Sequence, residues 1–325
     1  MNSPSLPPPF DRAALDRLLE NVHRVIVGKD AVVEQAVAAM LARGHVLIED
    51  CPGLGKTMLA RAIAQSVGAS FHRIQCTPDL LPSDVTGVSI YRPGQEEFEF
   101  VAGPVFTQVL LVDEINRTTP RTQSALLEAM EERQVTVEGD ARPLPDPFFV
   151  IATQNPVELS GTFPLPEAQI DRFLVQLELG YPRVDEEVRI LAGQIEEHPI
   201  EDLGAVISAE AIVAAQDAAK RIHVAPELLR YIAEIADATR RRPDVRLGVS
   251  PRGSLALMRM SQAMALLRGL DHVTPDLVKE IAPAVISHRL ILHSQRRHGG
   301  SHTDIVSEVL GAVHVPTLPG AVSSS

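Results

Sequence analysis

The feature that most constrains this chain is the octapeptide DCPGLGKT at residues 50–57. An apolar run at residues 45–49 precedes it and a helical pattern at residues 57–67 follows it, so the octapeptide joins a predicted strand to a predicted helix. The two glycines allow backbone amides to converge on an anion, and the helix start adds positive partial charge. In such a phosphate loop Lys56 neutralises the β and γ phosphates of a nucleotide, and the Thr57 hydroxyl binds Mg²⁺. The predicted nucleotide-binding residues are Pro52, Gly53, Leu54, Gly55, Lys56, Thr57 and Met58.

Asp50 stands where the general phosphate-loop pattern has glycine. Aspartate tolerates left-handed backbone better than most residues, so the loop can still form. Its charge is unfavourable beside a polyphosphate unless the side chain points away from the loop. The alternative is an ordinary strand–turn–helix with a chance Gly-Lys-Thr, and the acidic motif described next argues against it.

Two further predicted strands end in polar side chains. The run VLLV at residues 109–112 leads into Asp113 and Glu114. Here Asp113 is expected to hold Mg²⁺ through its waters and Glu114 to polarise the attacking water. The strand at residues 148–153 ends near Asn155, whose amide would orient the same water. A plain acidic turn, or an asparagine in a turn, remains the alternative for either motif taken alone.

The alternation of short apolar strands with helices predicts an α/β fold with a parallel sheet covered on both faces. Predicted hairpins interrupt the alternation at residues 87–101 and after Arg133. After Pro182 the pattern is helical throughout and no strand is expected. The predicted domains are a disordered leader at 1–9, an α/β nucleotide-binding domain at 10–183, a helical lid at 184–293 and a tail at 294–325.

Composition excludes several classes of protein. The formal net charge is −12 and the isoelectric point about 5.4, so a nucleic-acid partner is not expected. No apolar run approaches the roughly 20 residues of a membrane span. The two cysteines, Cys51 and Cys76, form no disulfide framework or zinc spacing and indicate a reducing, cytoplasmic location. Histidines 288, 293, 298 and 302 have irregular spacing and are expected to be solvated rather than metal-binding.

Two arginines are candidate phosphate ligands. Arg252 follows Ser250 and Pro251 and so lies in the first turn of a predicted helix, where a cation opposes the helix dipole. A bound γ-phosphate would remove that conflict, whereas the alternative is a solvated surface arginine. Arg172 precedes the last predicted strand. Its residue context alone does not separate a functional role from a structural pairing with Asp171.

Five motifs together resemble one known family. They are DEINR at 113–117, QSALLEAMEE at 123–132, ATQNP at 152–156, LPEAQ at 165–169 and SPRG at 250–253. These motifs are similar to those of the MoxR family of bacterial AAA+ ATPases, in the helix-2-insert branch related to the ATPase subunit of magnesium chelatase. The resemblance covers residues 10–290 and its set of motifs is highly specific.

The resemblance implies a five-stranded AAA+ core, a small helical lid and a homo-oligomeric ring, usually a hexamer, that uses ATP and Mg²⁺. It makes Asn155 the sensor-1 residue, Arg252 the sensor-2 residue and Arg172 the arginine finger of a neighbouring site. It also places Val27 and Gly28 at the adenine, residues 87–101 in the helix-2 insert and residues 133–140 in the hairpin before sensor 1.

The expected function is therefore ATP-driven assembly or remodelling of other proteins. Through the resemblance, the expected clients carry von Willebrand factor A domains or receive metal cofactors. The alternative is a scaffold that binds ATP and hydrolyses it slowly. The complete acidic and sensor positions favour the active enzyme, because a scaffold has no need of Glu114.

Overall fold

The computed structural model describes residues 11–94, 96–156, 161–195, 198–293 and 301–316. The predicted leader at residues 1–9 lies outside these ranges, as do residues 294–300 and 317–325 of the predicted tail. Every structural statement below refers to the described residues.

A five-stranded parallel sheet forms the centre of the N-terminal part, as the sequence predicts. Its strand order is β2-β5-β8-β1-β9, with every neighbouring pair parallel. The strands are β1 (Val46–Glu49), β2 (Phe71–Gln75), β5 (Val109–Asp113), β8 (Phe149–Gln154) and β9 (Val175–Leu177). The carboxyl ends of β1, β5 and β8 therefore lie side by side, which brings the polar residues after each strand to one edge of the sheet.

Helices cover both faces of the sheet. They are α1 (Ala13–His23), α2 (Asp30–Leu41), α3 (Lys56–Val67), α4 (Pro82–Thr86), α5 (Pro120–Glu132) and α6 (Glu167–Ile170). Strand side chains alternate between two buried clusters: Val46 and Ile48 pack with α1, α2 and α3, whereas Leu47 packs on the opposite face with α5. This two-sided burial explains why β1 reads as a continuous apolar run.

Both predicted hairpins are confirmed. Strands β3 (Gly87–Arg92) and β4 (Glu97–Ala102) pair antiparallel between α4 and β5. Strands β6 (Gln134–Val137) and β7 (Asp140–Pro143) pair antiparallel between α5 and β8. Each is an insertion outside the five-stranded sheet, which keeps the parallel strand order intact.

The C-terminal part is largely helical. Its helices are α7 (Val184–Ala192), α8 (Ala209–Ala219), α9 (Pro226–Arg241), α10 (Pro251–Leu267), α11 (Pro275–Ile286) and α12 (His302–Ala312). The side chains of Ser208, Ser250 and Thr274 accept hydrogen bonds from the backbone amide three residues later and cap α8, α10 and α11. No described helix has the length and apolar character needed to cross a membrane.

The structure corrects one expectation for this part and adds a helix to the predicted tail. A short antiparallel pair, β10 (Val245–Leu247) and β11 (Ile291–Leu292), occurs where only helices were predicted. Helix α12 lies inside the segment assigned to a tail. It is ordered because Ser301 caps it and because Ile305, Val306 and Val309 form a buried face.

Candidate nucleotide site and arginine cleft

The loop between β1 and α3 has the backbone geometry of a phosphate cradle. Gly53 and Gly55 have φ angles of 84° and 87°, in the left-handed region that glycine adopts without strain. A Cβ atom at either position would meet open space, so the requirement is conformational rather than steric. The ammonium of Lys56 lies at the centre of the loop and donates to the carbonyl oxygens of Asp50, at 2.6 Å, and Cys51, at 3.2 Å.

A cavity of about 410 Å³ joins this loop to the carboxyl ends of the neighbouring strands. It is lined by Pro52, Gly53, Gly55, Lys56, Thr57, Met58, Arg73, Gln75, Asp113, Glu114 and Asn155. The fold thus brings together most of the predicted site residues, from three separate stretches of sequence. Leu54, Val27 and Gly28 do not line this cavity.

Thr153 joins the two acidic residues. Its hydroxyl donates to Oδ1 of Asp113 at 2.6 Å and accepts the backbone N–H of Glu114 at 2.9 Å. Glu114 has a φ of 57°, a left-handed conformation that costs a non-glycine residue about 1–3 kcal/mol. The Thr153 hydroxyl therefore fixes both the Asp113 carboxylate and the turn that aims Glu114 into the cavity.

Sequence reasoning missed two cavity residues on β2. Arg73 forms an ion pair with Oδ2 of Asp113 at 2.6 Å, and the Gln75 amide donates to Oε2 of Glu114 at 2.8 Å. Arg117 reaches the same Glu114 oxygen at 3.0 Å. The available signal was the alternation of β2, which puts Arg73 and Gln75 on one face at the end of the strand. The pairing of β2 with β5 was not available from the sequence.

The Asp50 side chain points away from the phosphate loop. Its Oδ2 accepts hydrogen bonds from the backbone amides of Leu179, at 2.6 Å, and Gly180, at 2.8 Å. The carboxylate therefore ties the first residue of the loop to the segment between β9 and α7. This orientation removes the expected conflict between the Asp50 charge and a bound polyphosphate.

Gly28, predicted to contact adenine, lies against the first turn of α7. It has a φ of 73°, and a Cβ atom there would collide with the Glu186 side chain. Glu186 is buried and accepts from the backbone amide and guanidinium of Arg183 at 2.9 and 2.7 Å. The Val27–Gly28 turn is thus placed by α7, at the junction with the C-terminal helices.

Arg172 and Arg252 lie together, apart from the phosphate cavity. Arg172 Nε is 3.0 Å from one oxygen of Glu131, and Arg252 Nη1 is 2.8 Å from the other. Both line a separate cleft of about 670 Å³ whose other cations include Arg133 and Arg259. Within one copy, neither arginine lines the cavity that contains Lys56.

The alternative pairing of Arg172 with Asp171 is wrong. Asp171 Oδ1 accepts from Nε of Arg289 at 2.6 Å, and Arg289 Nη2 also donates to the carbonyl oxygen of Phe173 at 2.6 Å. Arg289 is buried, and that burial lowers the pKa of its guanidinium. The Asp171–Arg289 pair therefore joins the turn after α11 to the segment before β9. Arg172 pairs with Glu131 instead of Asp171.

The expectation of solvated histidines is corrected at His288. His288 is half-buried next to the Phe173 carbonyl oxygen, and burial holds the pKa of its imidazole well below the usual value. It is therefore not a solvated histidine. Both cysteines are free thiols, and burial together with Asp113 and Glu114 raises the pKa of Cys76 to about 12. Among the described residues, no cluster of three or more His, Cys, Asp or Glu side chains could hold a metal.

The parallel sheet, the phosphate loop after β1, the acidic end of β5 and the C-terminal helices define an ATPase of the AAA class. A family model described as "ATPase family associated with various cellular activities (AAA)" matches residues 45–175. A second, described as "AAA lid domain", matches residues 237–309. The lid model extends past residue 293 into helix α12, in agreement with the packing of that helix.

Within this class, the chain belongs to the MoxR family. It is 42% identical to Chaperone MoxR1 of Mycobacterium tuberculosis over 314 residues, 94% of this chain and 83% of that protein. It is 52% identical to the uncharacterized protein YeaC of Bacillus subtilis over 309 residues, 95% of this chain and 97% of YeaC. Protein MoxR of Methylorubrum extorquens is 29% identical over 332 residues, 94% of this chain and 96% of that protein.

A solved structure supports the same assignment. A Cytophaga hutchinsonii protein assigned to the ATPases superposes with a TM-score of 0.87 at 34% identity, covering 94% of this chain and 96% of that one. The predicted α/β AAA+ fold with a helical lid is confirmed by this likeness and by the lid model.

Proposed function

We propose that this chain is an ATP-hydrolysing, chaperone-like AAA+ remodeller that assembles or activates partner proteins. The observation that carries the proposal is the single cavity shared by the phosphate loop, Thr57, Asp113, Glu114 and Asn155. Backbone amides, one lysine, one hydroxyl and two carboxylates are the groups that bind a nucleoside triphosphate and its metal ion.

Each residue has a distinct task in this proposal. Lys56 and the loop amides bind the β and γ phosphates, while Thr57 and Asp113 hold Mg²⁺. The metal, when bound, neutralises charge that develops on the phosphate oxygens. Glu114 orients and polarises the attacking water, and Asn155 holds that water in line with the γ-phosphate. Few protein ligands would be needed for Mg²⁺ that arrives with a nucleotide, and the Thr57 hydroxyl and the Asp113 carboxylate would supply them.

The arginine cleft supports action between copies. Arg172 and Arg252 lie outside the phosphate cavity of their own chain, so we propose that both reach the γ-phosphate of a neighbouring copy. Such an interface joins two different surfaces, and it forms a ring when the rotation between successive copies closes. Six copies are proposed from the MoxR family resemblance.

The client is proposed to be a protein, in line with the name of the relative Chaperone MoxR1. Clients with von Willebrand factor A domains or metal cofactors follow from the family resemblance alone, and a cytoplasmic location remains a prediction from composition. A Glu114→Gln variant held in ATP should capture clients, because it binds nucleotide and hydrolyses it slowly. Mass spectrometry of captured proteins, compared with a Lys56→Ala bait that cannot bind ATP, identifies them.

Steady-state phosphate release tests the enzymatic part. Lys56→Ala should abolish nucleotide binding with the fold intact, and Glu114→Gln should bind ATP while losing most turnover. Glu128→Gln is a matched control, because Glu128 is an exposed carboxylate of α5 outside the cavity. Tight ATP binding by Lys56→Ala, or loss of binding by Glu114→Gln, would contradict the assigned roles.

A slow-turnover, nucleotide-gated scaffold is the second candidate. It is favoured by the two donors on Glu114, since Gln75 and Arg117 both bind its Oε2 atom and compete with water for it. A wild-type turnover equal to that of Glu114→Gln, with or without clients, would select the scaffold over the enzyme.

A further inference from the structure

Helix α7 presents its apolar side chains outward. The exposed stripe begins just before the helix and ends three residues after it, with successive spacings of three, four, three and four residues. Its members are Tyr181, Val184, Val188, Leu191 and Ile195. Val184 is 77% exposed and Ile195 80%, whereas the buried residue of the helix is a glutamate, Glu186.

This arrangement is the reverse of an ordinary surface helix, whose apolar stripe faces its own core. Single exposed apolar residues are normal on any protein, but a contiguous stripe marks a surface that another molecule covers. Within α7, Val184, Val188 and Leu191 have the spacing of four and three residues found on a helix that packs lengthwise on a partner, and Tyr181 and Ile195 extend the exposed surface beyond either end of the helix. The inward face of α7 is already occupied by the contact between Glu186 and Gly28.

The stripe starts next to the segment that Asp50, the first residue of the phosphate loop, holds in place. Asp50 of the phosphate loop holds the amides of Leu179 and Gly180, and the Lys29 ammonium donates to the carbonyl oxygen of Tyr181 at 2.9 Å. The first member of the stripe is therefore anchored through its backbone to the start of α2 and, through its neighbours, to the first residue of the phosphate loop.

The surface around Arg252 complements α7. One face of α10 carries Arg252, then Leu255 and Arg259 at spacings of three and four residues, and all three are exposed. Leu255, 50% exposed, supplies an apolar contact between two cations. On α7, the exposed residues Asp185 and Glu187 flank the stripe, and the exposed Arg189 lies one turn after Asp185. The outward surface of α7 therefore carries a small net negative charge beside its apolar stripe, whereas the α10 face is basic with an apolar centre.

We propose that the stripe on α7 packs against the Arg252–Leu255–Arg259 face of α10 in the next copy of this chain. The proposal rests on the proposed trans action of Arg172 and Arg252, and it adds the contact that holds these arginines at the neighbouring nucleotide. Because the two surfaces differ, each copy uses one to bind the copy before it and one to bind the copy after it.

Sedimentation velocity in ATP, on a Glu114→Gln background, tests the stripe. Leu191→Asp should raise the dissociation constant between copies at least about thirtyfold, the effect of a central interface residue. Binding of a fluorescent ATP analogue to each copy should be unchanged. Leu229→Asp is the matched control, because Leu229 is an exposed leucine of α9 that belongs to neither surface. Unchanged association of Leu191→Asp would overturn the proposal.

A charge exchange tests the partner surface. Glu187→Arg and Arg259→Glu should each weaken association, and the double variant should recover most of the wild-type affinity. Weakening without recovery would overturn the assignment to α10. If deletion of residues 1–10 makes the stripe bind a hydrophobic dye while association is unchanged, that segment is the occupant and the proposal is also overturned.

The same data separate this proposal from the proposed function. Suppose that mixtures of Arg172→Ala and Lys56→Ala recover activity while Leu191→Asp associates normally. Then only the proposed α7 contact is wrong, and the proposed function stands. If the wild-type protein does not associate in ATP, the proposed ring is wrong.

Discussion

The Nε atom of Arg172 lies 3.0 Å from Oε2 of Glu131, a residue at the carboxyl end of α5. The second oxygen of the same carboxylate binds Arg252, which comes from the start of α10 in the C-terminal helices. One glutamate therefore holds two arginines from distant parts of the chain at one cleft. That cleft is not the cavity where the phosphate loop lies.

Arg172→Ala should bind ATP with near-normal affinity and lose about 10³–10⁵-fold in turnover, as expected of an arginine that completes a neighbouring site. Mixing it with Lys56→Ala should restore activity, because one type of interface then pairs an intact phosphate loop with an intact arginine. Turnover of mixed oligomers is the measurement. Arg230→Ala, which removes an exposed arginine of α9, is the control. If mixed oligomers form but do not regain activity, Arg172 does not act on a neighbouring site, and its role is the structural pairing with Glu131.

Thr153→Val should lower kcat about 10- to 100-fold with little effect on the affinity for ATP. The substitution keeps the shape of the side chain but removes the hydroxyl that bonds Asp113 and the Glu114 amide. Because the Glu114 N–H then lacks its partner, the free energy of unfolding should also fall by about 1–3 kcal/mol. Single-turnover kinetics and urea denaturation measure the two effects. Thr153→Ser keeps the hydroxyl and should behave as wild type, and a serine variant as impaired as valine would contradict this role.

Asp50→Ala should loosen the segment between β9 and α7. Hydrogen bonds from backbone amides to a carboxylate are each worth about 1.5–3 kcal/mol, so exchange at Leu179 and Gly180 should accelerate at least about tenfold. Amide hydrogen exchange followed by mass spectrometry or NMR is the measurement. Asp50→Asn keeps an acceptor oxygen, so its exchange rates should lie between those of wild type and those of Asp50→Ala. Equal exchange in all three proteins would show that Asp50 does not hold this segment.

His45 should make stability depend on pH below neutrality. Its ring accepts the Val150 N–H at 3.0 Å and contacts the Met130 carbonyl oxygen at 3.1 Å, and burial lowers the pKa of His45 to about 4. Between pH 6.5 and 4 the unfolded chain binds a proton that the folded chain does not, so stability falls as the pH falls. The total loss is about 3 kcal/mol.

Urea denaturation of wild type and His45→Gln between pH 7.5 and 5 measures this effect. The wild type should lose stability more steeply than the variant as the pH falls, whatever their difference at pH 7.5. His72→Gln is the control, because His72 is exposed on β2. Parallel stability curves for wild type and His45→Gln would contradict a neutral buried His45.

The strand-and-helix order and the phosphate loop were readable from local pattern. The glycines at 53 and 55, the apolar run before Asp113 and the caps at Ser208, Ser250 and Thr274 each act through residues near in sequence. Helix α12 was harder to predict, because residues 294–301 contain two glycines, two serines and no apolar residue, and because the buried face of the helix has only three residues. The domain boundary predicted at residues 183 and 184 and the catalytic roles remain predictions.

The sequence by itself determined which chemistry the chain carries, since a phosphate loop and an acidic strand end need only short-range order to be recognised. Tertiary structure decided which side chains meet. Strand order alone puts Arg73 and Gln75 of β2 beside Asp113 and Glu114. Asp171 lies next to Arg172 in the chain, yet it pairs with Arg289, 118 residues away. Burial and three-dimensional geometry decide which partner a long side chain binds, and neither can be predicted from spacing along the chain.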